Sequence, residues 1–441
     1  MLQERKLILA KGFTKIDSEI RKLVEKWVLQ RIFPSNTKNK MKYHRVLVEA
    51  IVFALQQVFN ENRQADKVIE QVLKSNKKWG SRDRSFIAEN TYEIVRWWRL
   101  LKFVSNINCV KVEEEALFWQ LFGSWRILQG DKLPDWNEFS KLNPKEILAR
   151  KEEAKELRKV RESIPDWMDE IGEQELGEKW NAELHAMNHQ ANVVLRTNTL
   201  KTNKLDLKKA FREIGIETET LPSVQDALVL PKRANVFATE LFKKGMFEVQ
   251  DAGSQLIASF LDVKAGMRVI DACAGAGGKT LHLATLMENK GRIIAMDVED
   301  YKLQELQRRA KRNGIGNVET KLIEAKTIKR LRESADRLLL DVPCSGLGVL
   351  RRNPDAKWKL KKEFLEKIKL TQAEIITNYS KMLKHGGKMV YATCSILPSE
   401  SEQQVQKFIS QNPDYQLIEE KRTSPANDGF DGFYMALIER L

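Results

Sequence analysis

The carboxyl-terminal half of the chain alternates short apolar runs with amphipathic runs of helical period. Buried parallel strands are continuous apolar runs of about 4–8 residues, whereas crossover helices repeat their apolar positions every three to four residues. Residues 301–313 show the helical repeat, and the strand candidates are 267–271, 292–297, 318–323, 337–341 and 388–393. The alternation predicts an α/β fold with a parallel sheet, ending in an antiparallel edge hairpin of residues 415–420 and 433–439.

The first 160 residues carry helical patterns throughout. The amphipathic runs are residues 20–32, 45–59, 65–75 and 83–104. Residues 145–165 are rich in charge and predict a helical linker that ends at Pro165. Met41 offers a second translation start, which leaves open whether residues 1–40 are an extension.

Residues 166–248 mix both periods. A strand and turn at 193–202 precede a helical run, and residues 227–230 are a second strand candidate, so a small α+β module is expected here. We therefore predict three domains, a helical domain over 1–160, the α+β module over 161–248 and the α/β domain over 249–441.

Charge adds a candidate partner. The formal net charge is +14, and residues 321–370 hold 14 Lys and Arg against 7 Asp and Glu, while residues 1–50 hold 12 against 5. A basic block next to the carboxyl ends of parallel strands favours a polyanionic substrate such as nucleic acid, although solvated helix faces would give the same composition.

Composition also bears on location and metals. No apolar run is long enough to cross a bilayer and the first residues lack a signal-peptide core, so we expect a cytoplasmic protein without a membrane partner. The four cysteines, Cys109, Cys273, Cys344 and Cys394, show no CxxC spacing and no neighbouring His, which argues against a metal site and a disulfide framework. We expect a monomer.

A glycine-rich loop follows the first strand of the α/β domain. Glycines between a strand and a helix let the backbone approach a ligand. Gly278-Lys279-Thr280 would end a P-loop, but Cys273 stands where its first glycine belongs. Asp297 ends the second strand, as a carboxylate for a ribose diol does, and Glu324 follows the third. This favours S-adenosylmethionine, with the cofactor-binding residues Cys273, Ala274, Gly275, Ala276, Gly277, Gly278, Lys279, Asp297, Glu324 and Asp341.

Two later strands each deliver a cysteine to the same edge. Leu338–Leu340 end on Asp341, followed by Pro343-Cys344, and residues 388–393 lead into Cys394. Ligands bind outside the carboxyl ends of the strands in open α/β sheets, so these groups lie in working position. Most free cysteines are merely small buried hydrophobes. We adopt that interpretation for Cys109 and Cys273. The strand-end positions of Cys344 and Cys394 favour a chemical role for them instead.

These motifs resemble those of the NOP/Sun family of RNA 5-methylcytosine methyltransferases, and most of all its RsmB-type rRNA enzymes. The matching stretches are 249–256, DACAGAGGKT (271–280), DVPCSGLG (341–348), RRNPDAKW (351–358), ATCSILPSE (392–400) and 429–440. Gly275-Ala276 replaces the usual Ala-Pro, Glu324 replaces Asp, and Asn353 replaces a common His. Residues 81–101 are similar to the NusB-like helical domain on one branch of these enzymes.

The resemblance implies a class I, Rossmann-like methyltransferase domain that uses S-adenosylmethionine to methylate C5 of cytosine. It makes Cys394 the nucleophile that adds to C6, gives Cys344 the resolution of the adduct, and gives Asp341 the positioning of the base. Lys279 or the Arg351/Arg352 loop would supply the positive field that a thiolate needs.

RNA, most plausibly rRNA, is the expected partner. Five cations are predicted to contact it, namely Arg196, Lys201, Arg351, Arg352 and Lys357. The alternatives are a tRNA cytosine-C5 methyltransferase, a non-catalytic ribosome-assembly factor that binds rRNA, and a P-loop NTPase acting on RNA.

Overall fold

The computed structural model describes residues 43–107 and 114–441. The chain divides into two compact units, residues 1–161 and residues 162–441. The helix expected over 20–32, the question of an extension over 1–40 and Cys109 lie outside the described residues.

The described part of the first unit is helical. Its α-helices are α1 (Arg45–Phe59), α2 (Ala65–Ser75), α3 (Ser81–Arg96), α4 (Trp98–Val104), α5 (Glu115–Leu128), α6 (Pro144–Ala154) and α7 (Arg158–Arg161). The run predicted over 83–104 divides at Trp97, whose ψ of 20° lies outside the helical range. Its interior includes stacked aromatic rings, with the centroids of Phe59 and Trp98 3.7 Å apart.

The structure corrects the linker that was predicted over residues 145–165. Helix α6 packs against α4 and α5, and it buries Ile147 and Ala154. Apolar contacts along one helix face outweigh a charged composition, because the charged side chains lie on the opposite, solvated face.

The second unit opens with two helices and a four-stranded antiparallel sheet. Its elements are α8 (Asp166–Leu176), α9 (Lys179–Met187), β1 (Val193–Thr197), α10 (Lys204–Glu213), β2 (Glu219–Thr220), β3 (Ala227–Leu230), α11 (Glu240–Lys243) and β4 (Phe247–Val249). The strand order is β2-β3-β1-β4. Leu195, Phe211, Leu228 and Phe247 form its core, so the predicted α+β module is confirmed as a fold.

A seven-stranded sheet makes up the rest of the unit. Its strands are β5 (Arg268–Asp271), β6 (Arg292–Asp297), β7 (Val318–Leu322), β8 (Ala335–Asp341), β9 (Leu383–Thr393), β10 (Tyr415–Thr423) and β11 (Phe433–Arg440). The order is β10-β11-β9-β8-β5-β6-β7, in which β9, β8, β5, β6 and β7 run parallel. Strand β11 pairs antiparallel with β9, and β10 forms the edge. The predicted parallel sheet and its closing hairpin are confirmed.

Helices precede and connect these strands. They are α12 (Ala252–Phe260), α13 (Gly278–Leu286), α14 (Asp300–Asn313), α15 (Thr327–Arg330), α16 (Ala356–Lys359), α17 (Lys362–Tyr379), α18 (Glu402–Gln411) and α19 (Pro425–Asp428). The sheet is apolar on both faces, as two separate buried clusters show. None of the described helices is both long enough and apolar enough to span a membrane.

Two features position the functional edge. Four parallel strands, β5, β6, β8 and β9, end there at Asp271, Asp297, Asp341 and Thr393. Helices α8 and α9 pack against the loops that follow β8 and β9, through an apolar cluster that includes Trp180, Leu347 and Ile396. The loops beyond the strand ends are therefore held from outside as well as by the sheet.

Candidate active site

The glycine-rich loop between β5 and α13 is shaped by two backbone positions. Gly275 and Gly277 have φ values of +53° and +85°, a region that residues with a Cβ rarely adopt. A Cβ on Gly277 would lie 2.5 Å from Cγ of Leu306 in α14. The loop therefore packs directly on the next helix, and Gly275 faces open space, where a ligand can approach the backbone.

Asp297 fixes the loop from the end of β6. Its Oδ2 accepts a hydrogen bond of 2.9 Å from the Gly275 N–H, and its Oδ1 accepts one of 3.0 Å from the Glu299 N–H. Lys302 lies 3.6 Å from the same carboxylate. Asp297 thus connects the loop to the second strand, and its contact with a ribose diol stays a prediction.

Asp271 is a buried acid beneath the loop. Its Oδ2 accepts a hydrogen bond of 2.6 Å from the Thr280 hydroxyl, while its Oδ1 is buried and has no hydrogen-bond partner among the described residues. Burial raises the pKa of Asp271 to about 7, although the Thr280 hydrogen bond opposes the shift.

Lys279 does not act as a P-loop lysine. Its Nζ lies 2.7 Å from Oδ2 of Asp341 and 5.5 Å from the centre of the Phe433 ring. Burial works against its charge, but the Asp341 carboxylate prevails and raises the pKa of Lys279. The charge of Cys394 acts in the same direction. A lysine paired in this way is not free to reach a phosphate.

The two strand-end cysteines are in contact. Sγ of Cys344 lies 3.3 Å from Sγ of Cys394, and both residues are partly buried. The hydrogen bond that Cys344 shares with Cys394, together with burial, holds the pKa of Cys344 well above its usual range, and the charge of Glu400 adds to the effect. Cys273 lies in the glycine loop, where burial raises the pKa of its thiol as well.

Glu324 follows β7 and is exposed. Within the described residues its carboxylate makes no hydrogen bond or ion pair. It therefore keeps its capacity to accept hydrogen bonds from a ligand at this edge.

The predicted RNA contacts at Arg196 and Lys357 do not fit their burial. Arg196 is 1% exposed and donates hydrogen bonds from Nη1 to Oε1 of Gln250 and to the Gly278 carbonyl. Lys357 is 0% exposed and donates to Oδ1 of Asn188 and to the Ser163 carbonyl. These cations satisfy buried acceptors, because a buried charge must be paired or solvated by polar groups.

The other three predicted contacts are also engaged within the protein. Arg351 is buried and donates to the Gly429 and Phe430 carbonyls. Arg352 pairs with Asp251 and Asp431, and Lys201 donates to two backbone carbonyls.

Two further groups escaped prediction. Glu248 in β4 is buried and binds Arg309 and Arg312 of α14, and Arg309 donates to the Ala276 carbonyl in the glycine loop. Glu400 is buried against both cysteine loops, as described below. Glu400 ends the motif at 392–400, but no spacing rule reveals that its partners lie 28 and 55 residues away.

The fold and this edge define a Rossmann-like methyltransferase domain. A methyltransferase homologue from Pyrococcus horikoshii, solved by crystallography, is 28% identical, with a TM-score of 0.58 over 64% of this chain and 98% of the other. The crystal structure of PH0851 gives a TM-score of 0.79 over 91% of this chain and 100% of the other, at 24% identity, and shows the same fold.

Family comparison narrows the class. Residues 258–438 match the family described as 16S rRNA methyltransferase RsmB/F, and residues 164–237 match its ferredoxin-like domain. Both matched stretches are therefore similar to RsmB/F enzymes, in line with the resemblance carried by the sequence motifs.

Curated relatives agree with that placement. A probable ribosomal RNA small subunit methyltransferase B of Synechocystis sp. is 34% identical over 60% of this chain and 60% of its own length. Ribosomal RNA small subunit methyltransferase B of Vibrio vulnificus is 32% identical over 62% of this chain and 66% of its own length. The chain thus spans less than two thirds of the length of these relatives.

Proposed function

We propose that the protein transfers a methyl group from S-adenosylmethionine to C5 of a cytosine in small-subunit rRNA. The observation that carries the proposal is the contact between Cys344 and Cys394, beside the Lys279–Asp341 ion pair at the strand ends. The names of the curated relatives support rRNA of the small subunit as the substrate.

The glycine loop fits this methyl donor. S-adenosylmethionine carries a positive sulfonium and a positive ammonium group, and three carboxylates surround the loop. The Cys273 thiol lies in this loop, and the negative charges of Asp271, Asp297 and Asp341 all contribute to its raised pKa. Asp297, which holds the loop from the end of the second strand, would be the carboxylate for the ribose diol. When bound, the cofactor supplies an electrophilic methyl group.

Cys394 would activate the target base. Cytosine C5 is a weak nucleophile, so addition of the Cys394 thiolate to C6 moves electron density onto C5. Lys279 provides a positive charge near that sulfur. After methylation the C5 proton passes to a general base, and the electrons of that C–H bond form the C5–C6 double bond. The C6–S bond breaks with its electron pair returning to Cys394, and the base becomes aromatic again. Cys344, in contact with Cys394, would assist this release.

Asp341 would hold the base. Lys279 engages its Oδ2, and no other hydrogen bond to the carboxylate occurs within the described residues. The remaining oxygen can accept from the N4 amino group of cytosine, which a carboxylate recognises. The target cytosine must be unstacked, because its C5 and C6 atoms are inaccessible inside a helix.

The proposal is tested by methyl transfer to RNA from cells that lack this protein. With labelled S-adenosylmethionine, we expect label in 5-methylcytosine of small-subunit rRNA for the wild type and no label for Cys394→Ala. Cys344→Ala should accumulate a protein–RNA adduct that survives a denaturing gel. Label in tRNA would change the substrate, an adduct with Cys394→Ala would exchange the roles of the cysteines, and no transfer to any RNA would favour an rRNA-binding factor.

A further inference from the structure

Glu400 is a fully buried carboxylate between the two cysteine loops. It is 0% exposed and lies in a short 3₁₀ turn, Pro398–Glu400. Oε1 accepts hydrogen bonds from the Ser345 N–H at 2.8 Å and from the Gln372 amide at 3.0 Å. Oε2 accepts from the hydroxyls of Ser345 and Ser395. Four donors converge on this group, which is the environment that an ionised, acceptor-only carboxylate needs.

The two loops are built alike around this carboxylate. Each has a serine directly after its cysteine, and each serine oxygen accepts a hydrogen bond from the backbone N–H two residues on, at Leu347 and Leu397 respectively. Both hydroxyls then donate to one oxygen of Glu400. The side chain therefore links the turn after β8 to the turn after β9, and with them the two sulfur atoms.

The charges around the two sulfurs differ. Two cations lie near Cys394, namely Lys279 and Arg422, which donates to the carbonyl of the next residue, Ser395. The groups that face Cys344 are Cys394, the Glu400 carboxylate, the Tyr391 phenol and the Gly346 N–H, and only the last favours a thiolate. One sulfur thus lies toward a positive charge and the other toward a negative charge.

We propose that Glu400 is a positioning residue that joins the two cysteine turns and keeps Cys344 as a thiol while Cys394 reacts. A neutral Cys344 does not compete for C6, and its S–H can donate a hydrogen bond to the attacking Cys394 sulfur. The roles of the cysteines rest on the proposed function, but the protonation of Cys344 can be measured without RNA or a methyl donor.

The experiment follows alkylation of Cys344 by iodoacetamide from pH 6 to pH 10, in full-length Cys394→Ala, with each labelled peptide identified by mass spectrometry. Glu400→Gln removes the charge and retains the size. We expect its pH–rate profile to shift to lower pH, with labelling near neutral pH faster by about tenfold for each unit of pKa change. Glu288→Gln is the control, because Glu288 pairs with Lys290 and neither residue contacts a cysteine turn among the contacts described.

A second variant separates charge from reach. Glu400→Asp retains the charge but is one methylene shorter, so Cys344 should remain slow to alkylate. In the chain with both cysteines, this variant should lower kcat for methyl transfer with little change in KM for RNA. An unchanged alkylation profile in Glu400→Gln, or an unchanged kcat in Glu400→Asp, would overturn the proposal. If the wild type methylated no RNA, the proposed function would be wrong. The alkylation result for Cys344 would still hold, because that assay uses neither RNA nor a methyl donor.

Discussion

Among single residues, Asp271 should make stability depend on pH in an unusual direction. Its folded pKa of about 7 lies above its unfolded value, so between these values the folded state holds the extra proton. The free energy of unfolding therefore falls as pH rises toward 7, and the penalty is complete above it. From pH 5.5 to pH 8 we expect wild type to lose about 2 kcal/mol more than Asp271→Asn.

Chemical denaturation of both proteins at the two pH values measures this difference. Asparagine can still accept the Thr280 hydrogen bond, so the variant removes the titration and retains the contact. Comparing the two chains cancels other titrating groups, such as Asp431, whose pKa burial raises to about 6. Equal losses in both proteins would contradict the assignment to Asp271.

The residue scale also shows where sequence reasoning stops. The acids at strand ends were accessible to prediction, because an apolar run that ends on a carboxylate places it at a known edge. The partners of Arg196 were not accessible, since Gln250 and Gly278 lie 54 and 82 residues along the chain. A sequence shows where the cations are, but only the fold determines whether a cation binds solvent, a substrate or a buried carbonyl.

At the scale of elements, the loop after β8 is joined to two other segments by backbone contacts at Gly348. Its N–H donates to the Cys394 carbonyl, and its own carbonyl accepts from the Gly432 N–H. A Cβ at Gly348 would lie 2.0 Å from the Gly432 oxygen. Only glycine allows three loops to approach this closely.

Gly348→Ala should therefore separate these loops. We expect a loss of about 2 kcal/mol in the free energy of unfolding, as overpacking produces, together with a large loss of methyl transfer. Gly316→Ala is the control, because a Cβ there meets nothing within 4 Å. Urea denaturation and the transfer assay measure both effects, and a Gly348→Ala protein as stable and active as the control would refute the argument.

Prediction of the elements themselves succeeded where periodicity was strong. The strands of the parallel sheet have apolar side chains on both faces. Each strand is therefore a continuous run of apolar residues, which can be recognised directly in the sequence. The stretch 144–154 was predicted as helical but taken for a linker, because its apolar face is narrow, with only Ile147 and Ala154 buried. The order of the strands within the sheet was not predicted, since period alone does not choose a neighbour.

At the scale of the molecule, residues 162–441 should behave as one folding unit. The four-stranded sheet supplies Arg196 and Glu248, which bind the Gly278 carbonyl and the arginines of α14. Without residues 162–248, those arginines would lose a buried partner, and Leu347 and Ile396 would lose their apolar cover from α8 and α9. Unpaired buried charge and exposed apolar surface are both costly.

We therefore expect a fragment of residues 162–441 to unfold in one cooperative transition and a fragment of residues 249–441 to lack one. Circular dichroism during heating, with limited proteolysis of both fragments, distinguishes these outcomes. A shorter fragment that melts as sharply and at the same temperature as the longer one would show that the sheet of seven strands needs no support from the smaller sheet.

The 3.3 Å contact between Cys344 and Cys394 also has a consequence for oxidative chemistry. A peroxide that converts either thiol to a sulfenic acid would place that acid against the second thiol, and their condensation gives a disulfide and water. Reductants can reverse this step, whereas further oxidation to a sulfinic acid is generally irreversible. Because the two sulfurs lie close enough to serve the same base, they can also form a disulfide. The site would then be inactive in an oxidising environment and would recover its activity once reducing conditions return.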